Sequence, residues 1–565
     1  TDNIRTNTNA TFLQNINVGV AITAGKLGIG FTDTNVKVGN TALDSLTTGT
    51  NNTAVGNAAL TANTTGTGNV AVGRETLTAN TTADSNTGIG DLALMSNTTG
   101  ASNTAVGREA LQNNSTASNN TAVGYQALEE NTTGHSNVAL GANALDAATT
   151  ANENVAIGHN CLTANTTGEQ GVGVGQQALA SNTTGNFNTA VGRSALNANT
   201  TAAHNTAIGY FSLDTNTTGG SNTAVGSGSL QLSTTADNNT AVGKDALKQN
   251  TTGTANVAVG ALAGDANTTA DDNTAIGYNA FTTNTTGARN TAVGRSALQG
   301  NTTAHRNTAV GVYALLTNST GTYNAAVGDS GLYANTTGSY NTALGASALA
   351  SNTTATFNTA VGYESLNDNT TGEYNTALGG RALDINTTGS NNTAVGVNAL
   401  GANTTADNNT AVGYASLIAN TTGANNTAVG ANALDANTTG QQNVAFGSGA
   451  LTANTTANYN NAIGAFTLTA NTTGANNTAL GHGALYANTT ASNNTGIGFN
   501  ALIANTTGDL CTAVGAYALA SNVTGQGNTA VGNNALEDNT GHANTAVGNR
   551  ASYENTTGRD NTAVG

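Results

Sequence analysis

The side chains that most often carry catalysis are few in this chain and lie far apart. The 565 residues include two Cys, one Met and no Trp. The six His are His135, His159, His204, His305, His482 and His542. Acid–base and nucleophilic catalysis need such groups within hydrogen-bond reach of one another, and repeat-bound calcium needs Asp at fixed spacing. The pattern therefore predicts no catalytic residue, no metal site and no cofactor.

One recurring motif could carry a covalent modification. The tripeptide Asn-Thr-Thr fits the acceptor pattern for N-linked glycans, and it recurs at Asn63, Asn97, Asn165 and Asn250 among others. One hypothesis is a glycan-coated fibre. The other is an internal ladder of stacked Asn side chains, which we favour because a glycan on every coil would be crowded.

The composition excludes several classes of protein. Charged residues make up 8% of the chain, aromatic residues 4%, Pro is absent and the net charge is −16. With 14 Lys and Arg against 30 Asp and Glu, no basic nucleic-acid-binding surface is expected. No run of about 20 apolar residues is present, so no membrane span is predicted in this segment. The scarcity of large apolar side chains also argues against several compact domains.

The chain is built from one short repeat. The string NTAVG occurs at Asn52–Gly56, Asn103–Gly107 and Asn120–Gly124, and its variants recur every 17 residues through 32 copies, with one 16-residue step. We number the repeat positions as slots 1 to 17, with Asn52 in slot 1 and Gly68 in slot 17. The consensus is then N-T-A-V-G-x-x-A-L-x-A-N-T-T-G-x-x.

This period predicts an all-β fold, a β-solenoid (β-roll) of 17-residue coils. Helical repeats are about 33–47 residues long, whereas 17 residues suit one coil with two or three short strands and tight corners. Residues 1–34 read as an irregular or degenerate segment, with Asn17–Ala21 as a candidate partial copy. Residues 35–565 read as a continuous solenoid of about 32 coils, and we expect the chain to be a segment of a longer protein.

The slots predict a core and a corner. Strand alternation places slots 2 and 4 on one face, and with slot 9 they form the expected core, as in Val55, Leu60, Ile89 and Leu111. A slot-2 hydroxyl is then expected to be bonded locally. Slot 5 is Gly in every copy, which predicts a corner that requires positive φ or close backbone approach. Representative corner residues are Gly56, Gly73, Gly90 and Gly107.

Slot 3 raises the question of a partner. It is nearly always Ala, as in Ala54, although strand alternation would turn it away from a core formed by slots 2 and 4. One interpretation is that another copy of the chain packs there, most simply in a parallel homotrimer. The other is that this Ala meets a second segment of its own coil.

The NTAVG-x-x-AL core resembles the head repeats of YadA-like trimeric autotransporter adhesins, and also Asn/Thr/Gly-rich repeats of bacterial surface and phage tail-fibre proteins. The similarity extends over nearly the whole chain from Asn35. It implies a left-handed β-roll in a parallel homotrimer that serves as an adhesive or fibre shaft. Those heads repeat at about 14 residues, so the enlarged coil here departs from them.

We therefore expect a non-catalytic structural or adhesive fibre shaft, extracellular and on a cell or virion surface. A binding module is the alternative, with surface glycans or other fibres as partners. It would use Tyr125, Tyr278, Tyr363 and Tyr414, which share one corner slot. Ice binding by the Thr rows of slots 13 and 14 is a further alternative, in which only one of the two rows can face outward.

Overall fold

The computed structural model describes residues 34–565 as a parallel β-solenoid. The chain divides into two compact units, Thr1–Asn186 and Phe187–Gly565. Within the described residues each coil contributes one three-residue strand, and no helix is present. The expectation for residues 1–34, including the candidate copy at Asn17–Ala21, lies outside the described residues except for residue 34.

The first unit contains β1–β9 and the second contains β10–β32. The strands of the first unit are Val36–Val38, Thr53–Val55, Val70–Val72, Thr87–Ile89, Thr104–Val106, Thr121–Val123, Val138–Leu140, Val155–Ile157 and Val172–Val174. The strands of the second unit are Thr189–Val191, Thr206–Ile208, Thr223–Val225, Thr240–Val242, Val257–Val259, Thr274–Ile276, Thr291–Val293, Thr308–Val310, Ala325–Val327, Thr342–Leu344, Thr359–Val361, Thr376–Leu378, Thr393–Val395, Thr410–Val412, Thr427–Val429, Val444–Phe446, Asn461–Ile463, Thr478–Leu480, Thr495–Ile497, Thr512–Val514, Thr529–Val531, Thr545–Val547 and Thr562–Val564.

Within each unit, consecutive strands pair in parallel at the repeat spacing. In the second unit Thr223 lies opposite Thr240 and Val225 opposite Val242, so each slot meets the same slot of the next coil. The register survives the shortened repeat, where Thr529 lies opposite Thr545. The 17-residue period and the parallel solenoid are therefore confirmed.

Outside its strand, each coil is a series of turns held by backbone hydrogen bonds between coils. Leu60 N–H donates to the Thr76 carbonyl at 3.0 Å, and Ala62 N–H donates to the Thr78 carbonyl at 3.1 Å. The expectation of two or three strands per coil was wrong. Left-handed residues interrupt the extended backbone at slots 7 and 9, where Ala58 has a φ of 57° and Leu60 a φ of 53°.

The corner glycines have the predicted conformation. Gly56, Gly73, Gly90 and Gly107 have φ values from 137° to 145°. A Cβ added to Gly73 would lie 2.6 Å from the carbonyl carbon of Gly90 and closer still to its oxygen. The corner therefore needs Gly both for its φ and for the close approach of the next coil.

The core is narrower than the slots predicted. Leu60 and Leu111 are fully buried as expected, but Val55 and Ile89 lie on the surface, and Ile89 is 40% exposed. The strand turns slot 3 inward instead, and Ala54 is fully buried. The assignment of slots 2 and 4 to the core was therefore wrong.

The contents of the coil explain why slot 3 is small. The Leu of slot 9 and the small residue of slot 8 fill the interior. A Cβ added to Gly496 in slot 3 would lie 3.3 Å from Leu485 Cγ, so a methyl group is already a close fit there, and Gly88 compensates for the larger Thr76 in slot 8 of its preceding coil. An inward Val would not fit there. Slot 3 meets a segment of its own unit, and it supplies no evidence for a partner chain.

Two ranks of buried Asn line the interior beside this core. In slot 1, Asn69 N–H donates to Asn52 Oδ1 at 3.0 Å, and Asn69 Nδ2 donates to the Ala83 carbonyl at 2.8 Å. Each amide thus joins its own coil to its neighbours and satisfies backbone groups that a narrow core would otherwise leave unpaired.

Candidate functional site

The Asn residues proposed as glycan acceptors belong to the second buried rank, in slot 12. Asn63, Asn97, Asn165 and Asn250 are fully buried. Asn250 Nδ2 donates to the Gly253 carbonyl at 2.8 Å, and Asn250 Oδ1 accepts from the next amide of the rank at 2.9 Å. A glycan could not reach these nitrogens in the folded coil. The glycosylation hypothesis was wrong, and the Asn ladder is confirmed.

The residue types that carry catalysis do not come together in the described part of the chain. No group of three or more His, Cys, Asp and Glu residues is placed to hold a metal ion among residues 34–565. Cys161 and Cys511 are both buried, and neither is in a disulfide. Burial raises the pKa of the Cys161 thiol to about 12, so this group stays protonated near neutral pH and is a poor nucleophile.

The outward side chains of the strands form a surface feature that continues along each unit. We call the outward side chains of slots 2 and 4 the Thr/Val face; it has one rank of mostly Thr and one rank of Val, Ile or Leu. Its apolar rank is half-buried or exposed along both units, and Phe446, which replaces the aliphatic residue in one copy, is 55% exposed. No slot-2 Thr hydroxyl bonds to a described residue, so the expected local bonding was wrong.

The Thr/Val face is regular and uncharged. No charged residue occupies slot 2 or slot 4 in any of the 32 copies. Alternate residues of a strand are roughly 7 Å apart and neighbouring strands about 4.8 Å apart, so the 23 strands of the second unit extend this face over roughly 105 Å. The largest apolar patch of a monomeric protein is usually about 300–600 Å².

The charges lie on the turns instead, mostly in slots 6, 7, 10 and 16. Several pair between adjacent coils, as in Arg74 with Asp91 and Arg381 with Glu364, both at 2.8 Å. These pairs are exposed to solvent, where a pair contributes about 0–1 kcal/mol. The charged side chains therefore form a solvated surface on the turns, and the Thr/Val face has no charge.

Slot 10 holds a rank of half-buried carboxyl groups. Desolvation is the main cause that raises the pKa of each of them above its ordinary value: Glu129, Asp146, Asp214, Asp265, Asp384 and Asp435. Thr163 donates to Asp146 at 2.6 Å, which partly offsets the effect there. The shared cause points to a property of the slot rather than to a catalytic acid.

The four Tyr of the binding-module hypothesis do not lie on neighbouring coils. Tyr125, Tyr278, Tyr363 and Tyr414 are all exposed, but at least two coils lie between any two of them in the sequence. Aromatic rings do group elsewhere in the second unit. One group is a ladder in slot 17, and the other surrounds Phe466. Recurrence of aromatic residues at 17-residue intervals is the sequence signal for the first group.

The two Thr rows of the NTT corner differ in exposure. The slot-13 hydroxyl of Thr64 donates to the Thr81 carbonyl at 3.1 Å, whereas Thr65 in slot 14 is exposed.

In the described part of the chain, no helix is long and apolar enough to cross a bilayer. No protein-family model matches this sequence, and no curated protein is significantly similar to it.

Proposed function

We propose that the chain is a non-catalytic structural segment, the shaft of an extracellular fibre on a cell or virion surface. Its copies associate side by side through the Thr/Val face, most simply as a parallel homotrimer. The repeat's resemblance to adhesin heads and tail-fibre repeats supports the surface location. The Thr/Val face is the observation that carries the proposal.

The size of the face favours a large partner. In the second unit, the strip between its two ranks alone covers on the order of 700 Å², before the width of the side chains is added. A stable interface buries about 800 Å² per partner. An uncharged strip of this area is expected to gain more from burial than from remaining in water.

The regularity of the face favours a second copy of this chain as that partner. A partner can make the same contact with every strand only if its own contacts repeat at the same spacing. An identical chain has that spacing, because it is built from the same coils. The outward ranks of neighbouring copies would then pack against one another at each level of the stack. The excess negative charge would stay on the outer turns, where it opposes further aggregation.

Sedimentation of charge variants tests this association. Replacing Val242→Lys and Val259→Lys puts two charges on the face, where both valines are exposed already. We expect this double variant to sediment as a monomer, while the unaltered chain sediments as an oligomer, because buried unpaired ammonium groups are strongly unfavourable.

The matched control places the same two charges in slot 6 of nearby coils. Slot 6 already carries Lys244. Ser227→Lys with Ala261→Lys should leave the oligomer intact. A monomeric unaltered chain, or equal dissociation of both double variants, would contradict association through the Thr/Val face.

A further inference from the structure

An aromatic cavity interrupts the surface of the second unit. It has a volume of about 380 Å³, within the usual size range of small-ligand pockets. We call it the Phe466 pocket. Its lining consists of Phe466, His482, Gly483, Tyr486, Asn500 and Ile503.

A missing side chain creates the pocket. Gly483 occupies slot 7 with a φ of 65°, whereas the same slot holds Phe466 one coil earlier and Asn500 one coil later. Slot-7 side chains lean toward the preceding coil: a Cβ added to Gly449 would lie 3.0 Å from Phe466 Cδ1. A side chain on Gly483 would therefore lean toward Phe466. Its absence opens the space beside that ring, and the Asn500 Oδ1 atom reaches into the position that a Cβ on Gly483 would take.

The rings of this pocket are arranged differently from those that only stack. In the slot-17 ladder, Tyr323, Tyr340, Phe357 and Tyr374 lie 4.9–5.2 Å apart and within 8° of parallel, so each inner ring has both faces covered. Phe466 instead meets His482 at 5.9 Å with the rings 76° apart. Phe466 is 47% exposed and Tyr486 45%, about as much as Tyr340 and Phe357, so the pocket differs from the ladder in the arrangement of its rings and not in their exposure.

The chemistry of the lining selects a class of ligand. Phe466 and Ile503 supply apolar surface, while the Tyr486 hydroxyl, the Asn500 amide and the His482 imidazole supply hydrogen-bonding groups. No carboxylate, ammonium or guanidinium group lines the cavity, and the net charge of −16 opposes binding of anions. A pyranose ring has an apolar C–H face and a rim of hydroxyl groups.

We infer that the Phe466 pocket binds a neutral pyranose unit of a glycan, with the sugar's C–H face against Phe466 and its hydroxyl groups toward Tyr486 and Asn500. This function is additional to the shaft and does not depend on association through the Thr/Val face. A single exposed pocket that holds one ring is expected to bind a monosaccharide with a Kd in the millimolar range.

Saturation-transfer NMR with the methyl β-glycosides of glucose, galactose and N-acetylglucosamine tests the inference on the full chain. At least one glycoside should bind. Gly483→Asn should weaken glycoside binding at least tenfold because the new side chain fills the cavity. Phe466→Ala should weaken it equally because it removes the aromatic ring that the sugar contacts. Asn is compatible with the left-handed backbone of slot 7, where Asn143 and Asn398 have φ values of 52° and 57°.

Tyr340→Ala, in the closed ladder, is the control and should bind like the unaltered chain; circular dichroism checks that each variant is folded. Absence of saturation transfer from all three glycosides would overturn the inference, as would undiminished binding by folded Gly483→Asn. Binding of an apolar probe such as indole without binding of any glycoside would also overturn it. None of these results bears on sedimentation, so the pocket and the shaft can fail separately.

Discussion

At the scale of single residues, the fold depends on a few positions that allow no alternative. The corner Gly of slot 5 combines a φ near 140° with a neighbouring carbonyl in the space of its Cβ. Glycines in slot 17 have no such neighbour: a Cβ on Gly68 would meet its nearest atom, Ser85 Oγ, at 3.9 Å. Two glycines five residues apart therefore have unequal roles.

Substituting each of these two glycines should separate their roles. Gly73→Ala is expected to destabilise the first unit by about 2 kcal/mol or more, because it adds both backbone strain and a clash with Gly90. Gly68→Ser should change stability by less than about 1 kcal/mol, since Ser85 and Ser102 hold the same slot with positive φ. Thermal denaturation with hydrogen exchange measures both effects, and similar losses for the two variants would contradict this account.

At the scale of one coil, the sequence predicts the period, the corner and the buried Leu, but not which way the strand faces. Alternation allows either slot 3 or slots 2 and 4 to point inward, and apolarity favoured Val55 over Ala54. The volume of the coil decides otherwise, because Leu60 already fills it and leaves room for a methyl group alone. The interior volume depends on how the whole coil closes, so it cannot be predicted from the hydrophobicity of each slot taken alone.

The turns of the coil were less predictable still. Leu60 is buried with a φ of 53°, a conformation that costs about 1–2 kcal/mol for a residue other than Gly. Nothing in its residue type indicates this. The Phe466 pocket was also missed, because its signal is an absence: Gly483 stands where most coils have a side chain in slot 7.

The slot-10 carboxyl groups give the coil a pH dependence. Their folded-state pKa values are raised above the ordinary values, so the folded state binds protons more tightly than the unfolded state. Stability should therefore rise as the pH falls from 7 through the raised pKa values. It should level off near pH 4, where the unfolded carboxyl groups also become protonated.

Replacing three of these groups tests that dependence. The triple variant Asp214→Asn, Asp265→Asn and Asp384→Asn should raise the Tm at pH 7 by roughly 1–3 °C and flatten its pH dependence. Asn197 shows that slot 10 accepts Asn. Glu364→Gln is a control of opposite sign, because hydrogen bonds from Tyr363 and Arg381 lower the pKa of that carboxyl group. A lower Tm for the triple variant at pH 7 would contradict the desolvation account.

At the scale of the whole molecule, repetition makes small features large. Each coil is stabilised mainly by its neighbours, as in other solenoids. An outward Val and an outward Thr are ordinary on one coil, but in register along a unit they become a continuous uncharged strip. The same in-register stacking turns single Asn residues into ladders. The proposed shaft is thus a property of the stack.

A cryo-EM cross-section of the assembled chain tests the central claim most directly. We predict three lobes around one axis, with Thr/Val-face residues such as Val225 and Val242 at the contacts between lobes and the charged turns outside. A single lobe with the Thr/Val face in solvent, or lobes joined through the turns of slots 6 and 10, would contradict it.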